Sequence, residues 1–312
     1  MNKKDIKIIF MGSPEFAVPS LEILINNGYS IPAVVTVPDK PKGRGLKVIE
    51  SDIKKYALSK GIPVLQPEKL RDDEFLNAID EINPDLIVVV AFRILPKELY
   101  TKARLGSFNL HGSLLPKYRG AAPINRAIMN GDTKTGVTTF FLEDKVDTGN
   151  IIFTEEIPIS SVDTAGDIHD KLSVIGAELV LKTVEAIISG SAPRNIQNET
   201  ESSPAPKIFK EDCKINWNMP AEKIHNLIRG LSPYPTAYTI YDGKIVKIYR
   251  SEVSDEVSGL KPGSIIINKD QLFAASTDKL LKVVELQLEG KKRLPADEFL
   301  RGFRFKELSH FE

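Results

Sequence analysis

One cysteine, Cys213, stands in a chain of 312 residues. An internal disulfide and a thiolate zinc cluster are thereby excluded, and a reducing compartment suits the chain. Histidine occurs four times, with no tight cluster of His and carboxylates, so no metal is expected. Neither sign of charge is in excess. Forty-two Lys and Arg balance forty-two Asp and Glu, so no global field marks nucleic acid or an anionic membrane as partner. That balance leaves room for a local basic patch. No apolar run reaches the roughly 20 residues of a membrane span. The opening M-N-K-K-D-I-K-I-I-F lacks the apolar core of a signal peptide. A cytoplasmic protein with no membrane partner is the expectation. Also missing are internal repeats and a G-x-G-x-x-G fingerprint. Met11–Pro14 (M-G-S-P) is too short for a dinucleotide site, so Gly12 reads as a tight turn and Ser13 as a helix cap rather than a nucleophile.

What is present is alternation. Ile6–Met11, Ala33–Val37 and Leu86–Ala91 are short apolar runs, the last a continuous Leu/Ile/Val stretch suited to a parallel strand covered on both faces. Between the first two, Ser13 and Pro14 mark a helix start and Gly28 its stop, with Pro19 an awkward interior residue. A further amphipathic helix is predicted over Ala165–Ile188. Strand–helix–strand alternation predicts an α/β fold, a Rossmann-like and mostly parallel sheet with ligands at the carboxyl ends of its strands.

Three parts are expected: a catalytic domain over 1–189, a semi-extended linker over 190–207 rich in Pro, Ser and Asn, and a small domain over 208–312. The last holds a helix near Ala221–Gly230 and five β-like runs: Ala237–Tyr241, Ile245–Arg250, Gly263–Ile267, Leu272–Ala275 and Leu280–Gln287. Short strands separated by turn residues predict a small OB-like β-barrel.

The most informative segment is Phe108–Ile124, F-N-L-H-G-S-L-L-P-K-Y-R-G-A-A-P-I. On a strand, Asn109 and His111 project from one face while Phe108 and Leu110 project from the other. An amide donor beside an imidazole suits stabilising an oxyanion and moving a proton in acyl transfer. A hydrogen-bonded structural pair is the plainer alternative. Asp147, in the Gly-containing turn Glu143–Gly149, could supply a carboxylate, but spacing alone does not pair residues 36 positions apart.

N-L-H-G-S-L-L-P-K-Y-R-G-A-A-P-I with D-T-G resembles the methionyl-tRNA formyltransferase family, within a wider group of enzymes using 10-formyltetrahydrofolate. The likeness extends through M-G-S-P-E-F, K-P-K-G-R-G-L-K, L-S-P-Y-P-T-A and G-K-K-R-L-P-A-D-E-F-L-R-G, nearly the whole chain. It implies attack of the methionine α-amine of charged initiator tRNA on the formyl carbon of the folate co-substrate. Asn109 and protonated His111 would stabilise the oxyanion, and Asp147 would orient His111 and help accept the amine proton. It also implies a folate pocket walled by Val89, Ala91, Phe92, Ile94, Asp144 and the loop Ser113, Leu114, Leu115, Pro116. Here the family's Ala–Tyr–Gly–x–Ile–Leu–Pro is replaced by Ala91-Phe92-Arg93-Ile94-Leu95-Pro96, one residue short and lacking Gly. Arg93 then either reaches a folate carboxylate or points to solvent.

The loop Asp39–Lys47 carries Lys40, Lys42, Arg44 and Lys47 on a Gly/Pro backbone. A solvated loop is one reading; the resemblance implies a lid on the tRNA acceptor end, with Arg44 foremost. From Ala205 onward, eighteen basic residues face fifteen acidic ones, a small surplus that makes clustering the better guide. Lys291, Lys292 and Arg293 lie together, and Arg301, Arg304 and Lys306 interleave with Phe299, Phe303 and Phe305. These read as tRNA-facing cations or as a packed terminal helix. A monomer is expected. The rivals are formyl transfer to an amino sugar or a small amine, hydrolysis of the formyl donor, and a tRNA-binding or folate-binding protein without catalysis.

Overall fold

The computed structural model describes residues 3–42 and 47–312, and for 40–42 and 47–49 the backbone alone. The chain divides into two compact units. One comprises Met1–Gly120, Gly136–Ile157 and His169–Pro204; the other comprises Ala121–Thr135, Pro158–Ile168 and Ala205–Glu312.

The first unit is built on β1 (Lys7–Gly12), β2 (Ser30–Val35), β5 (Val64–Leu65), β6 (Leu86–Val90), β7 (Ser107–His111), β9 (Lys134–Phe141) and β10 (Ile151–Pro158). They form one sheet in the order β10-β9-β7-β6-β1-β2-β5. β1 pairs in parallel with β2 and β6, and β6 with β7; β9 runs antiparallel to β7. All five residues of β6 are buried, as expected of a strand covered on both faces. The chain leaves β1 first toward β2 and later returns on the opposite side as β6. Their carboxyl ends therefore form the switch point where open α/β sheets bind ligands. Gly12 sits there opposite Val90. A Cβ on Gly12 would lie 2.8 Å from Ala17 Cβ and 3.0 Å from the Val90 carbonyl, so it is a close-approach glycine.

Three expectations need correction. The first helix does not start at Pro14: a 3-10 turn over Glu15–Ala17 precedes α1 (Val18–Asn26). Pro19 therefore lies in the first helical turn, where the missing N–H costs no intrahelical bond, and no kink follows. Ser13 caps nothing; its hydroxyl accepts from Thr36 Oγ1 at 3.3 Å. Gly28, at φ +80°, ends the helix as expected. α6 (Ala165–Ser189) forms at the predicted place. The 190–207 stretch lacks long elements but is bound along its length. Asn195 exchanges two backbone hydrogen bonds with Ile151, at 2.8 and 3.0 Å, and Gln197 is buried. Composition registers the missing periodicity; it cannot register these bonds.

In the second unit, α5 (Pro123–Asn130) packs with α7 (Ala221–Leu231). β12 (Ala237–Tyr241), β13 (Lys244–Val257), β14 (Ile265–Asn268), β15 (Gln271–Ala275) and β16 (Lys279–Leu288) form an antiparallel sheet in the order β12-β13-β16-β15-β14, and β17 (Leu294–Pro295) adds to β16. β13 runs past the expected Arg250, with register shifts against β16 along its length. α8 (Ala296–Gly302) closes the chain's regular structure. Trp217 is structural: its ring stacks on Phe311 with centroids 5.5 Å apart, and its Nε1 donates to Thr239 Oγ1.

Candidate active site

β7 places Asn109 and His111 at the carboxyl end of the sheet, two residues apart on one face, while Phe108 and Leu110 are buried from the other. His111 is enclosed, and its Nε2 lies 2.8 Å from the carbonyl oxygen of Tyr118. A carbonyl only accepts, so Nε2 carries a proton and Nδ1 is the nitrogen left for other chemistry. Nδ1 faces Asp147 Oδ2 at 3.9 Å, beyond direct hydrogen bonding. That same oxygen accepts the Gly120 N–H at 2.9 Å. Thus the Tyr118 carbonyl orients the imidazole, and the Asp147 carboxylate stands opposite its other nitrogen.

Local sequence explains how these groups are held. Thr138 on β9 donates to the Ser113 carbonyl at 2.7 Å and accepts the Leu115 N–H at 3.1 Å. The Ser113 hydroxyl donates to Lys117 O at 2.6 Å. The loop after His111 is pinned before it reaches Tyr118. Asp147 adopts φ +56°, a left-handed conformation uncommon outside glycine. The D-T-G glycine has a separate reason: a Cβ on Gly149 would sit 1.7 Å from the Phe141 carbonyl oxygen.

Asn109 and Asp147 line one cavity of about 90 Å³ with apolar walls from Val89, Phe92, Phe140 and Leu142. Arg93, Ile94, Leu95, Tyr100 and Asp144 are shared with a wider cleft of about 650 Å³. A volume of that size is typical of small-molecule sites, and this cleft is lined in large part by charge, from Lys69, Arg71, Arg93, Lys97 and Asp144. Of the expected folate-pocket residues, Val89, Phe92, Ile94 and Asp144 line the cavity. Ala91 and the loop Ser113, Leu114, Leu115, Pro116 are not among its walls, and Ser113 is fully buried with its polar groups engaged.

Arg93 does not simply point to solvent. Its terminal nitrogens donate to the carbonyls of Glu68 and Pro67 at 2.9 and 2.8 Å, tying the 92–96 loop to that turn. Tyr100 is an addition. Its hydroxyl donates to Asp144 Oδ1 at 2.6 Å, and that bond pushes the phenol pKa up to about 12 while holding the Asp144 carboxyl below its ordinary value.

The expected tRNA-facing cations fare differently. Lys40, Lys42 and Lys47 lie on an antiparallel strand pair, β3 (Lys40–Lys42) with β4 (Lys47–Ile49); Arg44 lies outside the described residues. Lys291 and Lys292 are exposed in the turn before β17. Arg293 is engaged: it forms a fork with Glu285 at 2.8 and 2.6 Å and lies 4.0 Å over the Tyr249 ring. Phe299, Phe303 and Phe305 pack on one another and, through Phe303 and Phe305, on Tyr241. Arg301 and Lys306 pair with Asp297 and Asp242.

Residues 6–184 match the formyl transferase family, and residues 207–304 match the formyl transferase C-terminal domain. A methionyl-tRNA formyltransferase of Bacteroides fragilis is 50% identical over 98% of both chains. One of Clostridioides difficile is 47% identical over 95% of this chain and 97% of its own. Among solved structures, a sugar 3N-formyl transferase crystallised with dTDP and 5-N-formyl-THF aligns at TM-score 0.68 and 25% identity, covering 92% of this chain and 99% of that one. HypX from Aquifex aeolicus in complex with tetrahydrofolic acid shares the fold, with TM-score 0.63 and 16% identity over 98% of this chain and 50% of that one. With half its residues identical to such relatives along nearly its whole length, the chain belongs to the methionyl-tRNA formyltransferase family.

Proposed function

We propose that this protein transfers the formyl group of 10-formyltetrahydrofolate to the α-amine of methionyl initiator tRNA, as a cytoplasmic monomer serving translation initiation. The observation that carries the reading is the meeting of Asn109, His111 and Asp147 beside a cavity with Val89, Phe92, Phe140 and Leu142 in its walls, with His111 Nδ1 facing Asp147. A flat pteridine needs apolar walls and a few directed polar groups; Phe92 and Phe140 supply walls of that kind and Asn109 a directed amide, in a cavity that opens into the wider cleft through shared residues.

The donor supplies an activated formyl carbon, and the chain's residues do the rest. Asn109 donates to the formyl oxygen as negative charge gathers on it, and His111, protonated at Nδ1, adds a charged donor. Asp147 balances the imidazolium and takes the proton that the attacking amine loses, directly or through water. As the new amide bond forms, the bond from the formyl carbon to the folate nitrogen breaks, and that nitrogen recovers a proton.

The test is transfer of labelled formyl from 10-formyltetrahydrofolate, with charged initiator methionyl-tRNA, charged elongator methionyl-tRNA, free methionine and an amino sugar offered in parallel. Label on the initiator tRNA alone supports the reading. Label on the sugar, or tetrahydrofolate released with no labelled acceptor, overturns it.

A further inference from the structure

The segment 195–203 bonds to Tyr118, Arg119, Asp147 and Gly149, the stretches of chain that hold the catalytic pair. Gln197 is 6% exposed, and its amide is fully used. Its Nε2 donates to the carbonyls of Asp147 and Gly149 at 2.9 and 2.8 Å, bracketing the turn that carries the catalytic carboxylate. Its Oε1 accepts from Arg119 Nε and Nη2 at 3.2 and 2.7 Å. Arg119 stands between Tyr118, whose carbonyl orients His111, and Gly120, whose N–H holds Asp147 Oδ2. The far side of Arg119 forms a fork with Glu199 at 2.9 and 2.8 Å. Backbone bonds close the frame. Arg119 N–H reaches Ser203 O at 2.9 Å, and Tyr118 N–H reaches Ser203 Oγ at 2.9 Å.

One buried side chain therefore joins the Asp147 turn to the Tyr118–Gly120 loop, alongside the bond from Gly120 N–H to Asp147. The left-handed backbone of Asp147 needs such support, because a strained non-glycine conformation persists only where its surroundings over-determine it. A misplacement near 1 Å in a reacting group can cost about a hundredfold in rate. We infer that Gln197 is a positioning residue for catalysis: by tying Arg119 to the Asp147 turn it sets the His111–Asp147 geometry, making this stretch of the chain between the two family-matched regions part of the active site. The role rests on the assignment of His111 and Asp147 made above.

Gln197→Glu is the discriminating variant. It is isosteric and strengthens the pairing with Arg119, but it replaces an amide nitrogen that donates to two carbonyls with an oxygen that repels them. The expected result is a fall of at least tenfold in kcat with KM for folate and tRNA within about twofold, in a protein that has a lowered thermal midpoint but remains folded at the assay temperature. Ile196→Ala, at a residue 88% exposed beside it, controls for the segment and should stay within twofold of wild type. A second readout needs no substrate: the His111 Nε2–H proton, held on Tyr118 O, should give a slowly exchanging imidazole resonance that Gln197→Glu broadens or abolishes. If kcat stays within twofold while the protein remains folded, or if only KM changes, the inference is overturned. Where Gln197→Glu unfolds, Arg119→Lys, which keeps the charge and loses the fork, takes its place with the same expected kcat loss and the same overturning outcome. Should wild type transfer no formyl group at all, the assigned reaction fails while the resonance still tests the positioning role: its survival in Gln197→Glu overturns that role and its loss upholds it.

Discussion

The imidazole of His111 is held by the carbonyl of Tyr118, seven residues along the chain, rather than by the carboxylate of Asp147. This bond fixes the proton on Nε2 and presents Nδ1 to Asp147 across 3.9 Å. The carboxylate is thereby free of the imidazole's hydrogen bonding, and in the proposed reaction it acts on charge and on the migrating proton.

That division of labour separates the effects of three substitutions. Asn109→Ala and His111→Ala should each lower kcat by about 10²–10³, the usual cost of one oxyanion donor. Asp147→Asn keeps an oxygen to accept the Gly120 N–H and so should retain the loop and the thermal midpoint. It loses the negative charge, and kcat should fall by at least about tenfold. Single-turnover formylation beside far-ultraviolet circular dichroism measures both. Near-normal rates in all three would remove the assigned site.

Gly149→Ala tests backbone packing. Its Cβ would meet the Phe141 carbonyl at 1.7 Å, so the turn bearing Asp147 must move. A destabilisation above about 3 kcal/mol, or loss of folded protein, is expected, in the range set by severe local strain. Urea unfolding checks it, and a change under about 1 kcal/mol would mean the turn relaxes freely.

Asp85 gives the fold a pH dependence. Its Oδ2 accepts the Lys7 N–H at 2.9 Å where β1 begins, and its Oδ1 accepts from Arg104. Burial pushes the carboxyl up, but those hydrogen bonds outweigh it and hold the carboxyl below its ordinary value. A depressed folded pKa means that stability is fully present above the unfolded value near 3.9 and is lost as pH falls through the lower folded value. Asp85→Asn should cost about 1 kcal/mol at pH 7, below the usual value for a charged hydrogen bond because these bonds are partly exposed. The difference from wild type should shrink below pH 4. Thermal midpoints of the pair between pH 2.5 and 7 test this, and a gap that widens in acid would refute it.

Lys291 and Lys292 should contribute to RNA affinity, whereas Arg293 is occupied by Glu285 and Tyr249. Replacing both lysines by alanine should weaken tRNA binding and flatten its dependence on log salt by about one unit for each phosphate no longer neutralised. Arg293→Ala should mainly lower stability. Filter binding from 50 to 200 mM salt distinguishes the two, and an unchanged slope in the double variant would exclude that turn from the interface.

Strands β6 and β7 are legible in the sequence because burial on both faces, or on one, leaves a pattern in consecutive residues: Leu86–Val90 is uniformly apolar, and Phe108 and Leu110 alternate with Asn109 and His111. The position of α6 is legible for the same reason. Pro19 misleads because one proline fits a first turn or breaks an interior, and only the actual helix start distinguishes them. Within the loop Ser113–Pro116, Ser113 is bound inward, its hydroxyl donating to Lys117 O and its carbonyl accepting from Thr138. A motif preserves residue types and does not state which way they face.

By itself the sequence determined the class of fold, the presence of an amide–imidazole pair at a strand end and, through its motifs, the resemblance that named the chemistry. These are local matters, decided by neighbours within a few positions. Only the tertiary structure decided that Asp147 faces His111, that Tyr118 sets the imidazole's tautomer, and that Gln197, in a stretch whose composition reads as a tether, joins both loops. Each is a hydrogen bond or charge pairing between residues far apart in the chain or turned by an irregular loop. No periodicity encodes such a pairing, because its geometry exists only once the sheet has brought the loops together.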